Sequence, residues 1–206
     1  MSRILRQISP VVPYIAVAIG LYGLGSAWLA IFSYHLGMLL VVLAGKSARN
    51  DHKTNCSVSG WWYASAAVFA LGGVALYVLW PYALPGSSLV RERLGSFGIT
   101  GHIWPYFAVY FCLANSLIEE IFWRGYLRDD CCRPTLHDFA FAGYHALVLM
   151  AFTSSVWALL TLFICVFAAW LWRMMRAATG SLLVPVITHL IADAGIVLAV
   201  HFRVFA

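Results

Sequence analysis

A chain of 206 residues that is 63% hydrophobic and only 10% charged, with a mean hydropathy of +0.85, lies far outside the composition of a soluble domain. It leaves room for one compact bundle of membrane helices and none for a sizeable soluble domain. The formal net charge is +5, but the 13 Lys and Arg are scattered between apolar runs with no basic stripe, which argues against nucleic acid as a partner and makes them topology signals in a lipid bilayer.

Residues 11–44 form one apolar stretch of 34 residues, too long for a single span of about 20. Gly20, Gly23 and Gly25 offer a turn, so the stretch predicts two short spans. After a polar loop from Gly45 to Gly60, a third span runs from Trp61 to Trp80, with Trp61, Trp62 and Trp80 at interfacial positions. Residues 81–103 then read as a polar connection opened by Pro81, Pro85 and Gly86. The fourth span covers Trp104 to Arg128, the fifth Asp138 to Phe152, the sixth Ser155 to Trp172 and the seventh Leu182 to His201.

The expectation is therefore an all-α polytopic transmembrane bundle of about seven spans with a cytoplasmic N-terminus. Its first part, 1–103, carries spans one to three; its second part, 104–206, carries spans four to seven. With the N-terminus inside, Arg3, Arg6, Lys46, Arg49, Lys53, Arg124, Arg128, Arg133, Arg173 and Arg176 face inward, and only Arg91, Arg93 and Arg203 face outward. Treating residues 11–44 as one span would reverse that asymmetry, so the positive-inside rule favours two. The cysteines, Cys56, Cys112, Cys131, Cys132 and Cys165, form no CxxC pair, which indicates neither a disulfide framework nor a zinc ribbon; the vicinal Cys131-Cys132 allows reversible acylation, with unmodified thiols as the plainer expectation.

Span four ends on Glu119-Glu120-Ile121-Phe122-Trp123-Arg124. An ionised side chain in hydrocarbon costs about 2.5–3.5 kcal/mol on insertion scales, so such carboxylates usually face a protein interior and serve chemistry or transport. Glu120 and Arg124 are i,i+4 neighbours and are expected to pair. Glu119 points about 100° away, which makes it the candidate working carboxylate.

At about 1.5 Å per residue, Glu120 lies about 12 Å from the inner end of its span, and His145 and His189 each about 10 Å from theirs, with Asp193 one turn beyond His189. Polar groups on three helices thus converge on one layer in the inner half of the membrane. His35 stands alone in span two, with no evident partner. Asn115, one turn before Glu119, is placed to orient it or to bond a neighbouring helix.

A glutamate beside a histidine is equipped to take a proton from water and pass it to a leaving amine, and His189 to donate to an oxyanion. The same groups are ordinary ligands of a divalent metal such as zinc, with His145, His189 and Asp193 as the ligand set. No HExxH pair and no GxSxG elbow is present. A proton- or cation-coupled transporter would use the same residue types, and a non-catalytic membrane scaffold or immunity protein is a further alternative.

Glu119-Glu120-x-x-x-Arg124, Phe141-x-x-x-His145 and His189-x-x-x-Asp193, in that order on separate helices, resemble the three motifs of the CAAX protease and bacteriocin-processing family of intramembrane proteases. The resemblance covers about residues 104–197 and includes Glu-Glu-Ile-Phe-Trp-Arg-Gly and Thr-Gly-Ser-Leu-Leu-Val-Pro-Val-Ile-Thr-His. It implies an intramembrane endopeptidase acting on a membrane-associated protein or peptide. Glu119 would activate water with His145, His189 and Asp193 would bind the oxyanion or a metal, and Glu120 with Arg124 would support them. The small size and short loops suggest a bacterial inner membrane, with the site toward the cytoplasmic half. The family's third motif ends in Asn or Asp; here it is Asp193, and an ionised Asp cannot donate to an oxyanion.

Overall fold

The structure, a computed structural model, describes residues 2–45, 61–129 and 131–206. The loop residues Lys46, Arg49 and Lys53 of the charge balance, together with Cys56, lie outside the described residues, as do the side chains of Arg3, Trp61 and Trp62. Among the described residues all regular structure is helical, as the composition requires.

Among the described residues eight helical rods follow one another. The first two are α1 (Ile4–Gly23) and α2 (Ala27–Ala44), separated where the glycine cluster predicts. Gly25 has φ +62°, a left-handed conformation that glycine adopts without Cβ strain, and Ser26 caps α2 by accepting from the Leu29 amide at 3.2 Å. Next come α3 (Trp61–Ala83) and α4 (Ser87–Ser96). The polar connection after span three is thus itself partly helical, bent 102° from the preceding Leu71–Ala83 segment. The core comprises α5 (residues 104–126), α6 (Leu136–Leu149), α7 (Ser155–Thr179) and α8 (Leu183–Phe205). Gly180, at φ +69°, ends α7 as a left-handed cap.

By length and composition, α1, α2, α7 and α8 suffice to cross a membrane, and a fifth span results if the bent α3–α4 pair is counted as one. These four or five compare with an expected seven. Helix α6 has 14 residues, about 21 Å at 1.5 Å per residue, shorter than a hydrocarbon core of about 30 Å. Large apolar residues such as Leu159, Phe163, Ile164 and Phe167 on α7 are exposed, as expected for a lipid-facing side. The buried centre gathers Met38, Phe122, Trp123, Phe141, Tyr144, Trp172 and Met175.

Close backbone approach replaces the hydrophobic effect as the packing device, because lipid is as apolar as the side chains. A Cβ on Gly73 of α3 would collide with the backbone of Gly195 on α8, and one on Gly143 of α6 with the Tyr14 hydroxyl. That hydroxyl donates to the Ala140 carbonyl at 2.8 Å, and Tyr22 donates to Leu147 at 2.6 Å, so α1 clasps α6 at two levels. A buried ion pair holds α6 to α7. Arg173 Nη2 lies 2.7 Å from Asp138 Oδ2 and 2.7 Å from the Arg133 carbonyl. Asp138 also accepts from the Thr135 amide at 2.8 Å, capping the helix it begins. Cys112, Cys131 and Cys165 are free thiols. Cys132 is disulfide-bonded, which corrects the expectation of an unmodified thiol there.

Gly73→Ala should lower stability by about 1–3 kcal/mol, the usual range for overpacking a tight contact. Gly72→Ala meets open space and should leave stability unchanged or slightly raised; thermal unfolding of the two variants in detergent provides the comparison.

Candidate active site

Glu119 and Glu120 are both fully buried, on a four-part helix. Within α5, a π-helical turn at Phe111–Asn115 precedes the α-helical Ser116–Glu120, and a second at Ile121–Tyr126 follows it. Such wide turns often accompany functional sites. The predicted i,i+4 pair forms: Arg124 Nη1 donates to Glu120 Oε1 at 2.9 Å. The guanidinium also sits 4.5 Å over the Phe141 ring and 5.1 Å over Trp172, a cation–π seat that adds to the charge pairing.

His189, one turn before Asp193 on α8, links the motifs. Its Nδ1 is 2.9 Å from Glu120 Oε1, and its Nε2 is 3.8 Å from Glu119 Oε2 and 3.6 Å from Asp193 Oδ1. The imidazole stacks on Trp172 with centroids 4.1 Å apart and planes 17° from parallel, so its orientation is held from the face as well as the edge.

The two oxygens of Glu119 differ. Oε1 accepts a hydrogen bond from the Tyr144 hydroxyl. Oε2 is buried with no hydrogen-bond partner and faces His189. His145 approaches through the same tyrosine: its Nε2 is 3.4 Å from Tyr144 Oη, and its Nδ1 donates to the Phe141 carbonyl at 2.8 Å. Because a carbonyl only accepts, that contact puts a ring proton on Nδ1, so in the neutral form the lone pair is on Nε2.

Glu119, Glu120, Arg124, His189 and Asp193 therefore share one cluster, with His145 joined to it through Tyr144. Two expectations change. Asn115 does not orient Glu119; its amide donates to Asp193 Oδ2 at 3.0 Å, the neighbouring-helix alternative. His35 is not alone, since its Nε2 is 3.3 Å from Asn115 Oδ1 and its Nδ1 is 2.8 Å from Tyr110 Oη. Sequence reasoning missed Tyr34 and Tyr144 altogether; the only local signal is that each tyrosine immediately precedes a histidine. Among the described residues, no three His, Cys, Asp or Glu side chains are arranged to hold a metal ion.

Breaking the buried Glu120 contacts should be costly. Glu120→Leu leaves Arg124 buried without its carboxylate and should lose about 3–5 kcal/mol, whereas Glu120→Leu with Arg124→Leu should recover much of that loss; unfolding in detergent measures both.

Residues 101–195 match the family model described as type II CAAX prenyl endopeptidase Rce1-like. No curated protein and no solved structure gives a significant match. The matched segment contains all three motifs and the whole Glu119–Glu120–Arg124–His145–His189–Asp193 constellation, and over that segment the chain is similar to the CAAX protease family.

Proposed function

We propose that this protein is an intramembrane endopeptidase that hydrolyses a peptide bond of a membrane-associated protein or peptide, with Glu119 activating the water. The observation carrying this reading is the buried Oε2 of Glu119, which accepts no hydrogen bond and lies 3.8 Å from His189 Nε2, whereas Glu120 is committed through Oε1 to both Arg124 and His189. The similarity of residues 101–195 to the CAAX protease family supports the enzyme class and the kind of substrate.

In the proposed cycle, Glu119 Oε2 takes a proton from a water whose oxygen attacks the scissile carbonyl carbon, and the lone pair on His145 Nε2 helps to orient that water. The carbonyl π electrons move to oxygen, and His189 Nε2–H donates to the resulting oxyanion. Glu120, accepting from Nδ1, keeps the imidazole aimed, while Asp193 holds its other edge. Collapse of the intermediate breaks the carbon–nitrogen bond as Glu119 passes its proton to the departing amine. The inward bias of the basic residues supports a site in the cytoplasmic half of the membrane, and the chain's size and short loops support a bacterial inner membrane.

The metal-dependent form of this reading would have His145, His189 and Asp193 bind a divalent ion such as zinc, although among the described residues these side chains are not arranged as a three-ligand site; metal analysis of purified protein together with a chelator assay distinguishes the two. In proteoliposomes carrying a farnesylated CAAX peptide, Glu119→Gln and His145→Ala should each reduce turnover by about 10²–10⁴-fold, the usual contribution of a general acid–base group. Mass spectrometry of the products reads the cleavage, and undiminished turnover in Glu119→Gln would remove the assigned role.

A further inference from the structure

Asp193 is held by residues that none of the three motifs contains. Asn115 Oδ1 accepts from the Tyr34 hydroxyl and lies 3.3 Å from His35 Nε2, while the Asn115 amide nitrogen donates to Asp193 Oδ2 at 3.0 Å. His35 Nδ1 is 2.8 Å from Tyr110 Oη. His35 is 2% exposed and Asn115 1%. Tyr34 and His35 stand on α2, outside the family match, which begins at residue 101.

The donor and acceptor inventory gives this row a direction. A carboxylate only accepts, so the Asn115 amide nitrogen faces Asp193 and its carbonyl oxygen faces α2. That oxygen also only accepts, so the His35 proton is on Nε2, and the free Nδ1 lone pair receives the Tyr110 hydroxyl proton. Every proton from Tyr110 through His35 and Asn115 points toward Asp193. Hydrogen bonds aligned in this way reinforce one another in a medium of low dielectric. Without its two donors on α2, the Asn115 amide is free to flip and present its oxygen to the carboxylate.

We propose that Asn115, His35 and Tyr34 are positioning residues that hold Asp193 as the charge partner of the His189 ring, with Asp193 Oδ1 3.6 Å from Nε2, which leaves the Nε2–H free to donate to the oxyanion. Asp193 therefore needs no proton of its own: it aims the oxyanion donor while Glu120 holds the opposite ring nitrogen. This rests on the peptidase reading for its consequence in turnover, but not for the geometry itself.

The test combines kinetics on the farnesylated peptide with ring nitrogen-15 NMR of histidine-labelled protein, in which the His189 signals report protonation at both ring nitrogens. His35→Leu should lower kcat about 10²-fold, the scale of a small misplacement at a reacting centre, with KM little changed. It should also shift the His189 signals. His35→Gln, which keeps an N–H donor, should restore both, and His35→Leu should add nothing on an Asn115→Ala background. Unchanged His189 signals in His35→Leu, or losses that add in the double variant, would overturn the clamp. Should His35→Leu fail to fold, Tyr34→Phe removes the other donor to the same oxygen and is read on the same His189 signals. Shifted signals in a protein that cuts no peptide would sink the peptidase reading and leave the clamp standing. Normal cleavage with unshifted signals would sink the clamp alone.

Discussion

Two adjacent carboxylates with no exposure to solvent are the constraint to which the rest of this bundle answers. A buried charge is tolerated when it is paired and hydrogen-bonded, and here the compensation is unequal. Glu120 shares one oxygen between Arg124 and His189. Glu119 receives only a hydroxyl on Oε1, with His189 3.8 Å from its Oε2, and in each carboxylate Oε2 accepts no hydrogen bond. In the proposed reading that difference in charge pairing leaves Glu119 as the working carboxylate, because a buried acceptor without a full partner keeps its affinity for a proton or a donor.

Aromatic packing makes the asymmetry possible. Phe141 and Trp172 flank the Arg124 guanidinium, Trp172 also stacks on His189, and Phe141 lies against His145 with centroids 4.4 Å apart. Each ring fills space that would otherwise admit lipid or water and stabilises a neighbouring cation through its quadrupole. Farther out, the Asp138–Arg173 pair secures the start of α6 and the connection leading into it, while α1 clasps the same helix through two tyrosine hydroxyls. The shortest core helix, which carries Tyr144 and His145, is therefore held from both sides.

Much of the site was legible in the sequence because its pairings are local. Glu120 with Arg124 and His189 with Asp193 are separated by four residues, so helix geometry alone brings each pair onto one face. The break at Gly25 was legible for a similar reason, since a left-handed backbone position asks for glycine. His35 was opaque: its partners Tyr110 and Asn115 lie 75 and 80 residues away, and no periodicity within α2 announces a contact made on another helix. The helix within residues 81–103 was hidden by its polar composition and by the prolines before it, which mark a break but give no sign of a helix beyond it.

Composition and spacing by themselves determined that this chain folds into helices in a membrane, with acidic and imidazole groups turned inward, because lipid gives backbone polar groups no alternative partner and charges nowhere else to go. Only the tertiary structure decided which oxygen of Glu119 is occupied and which is open. It also decided that Asp193 is held by an amide, and that a histidine from the first part of the chain stands behind that amide. Those distinctions depend on distances of a few ångströms between side chains on different helices, and such distances are set by how the helices pack.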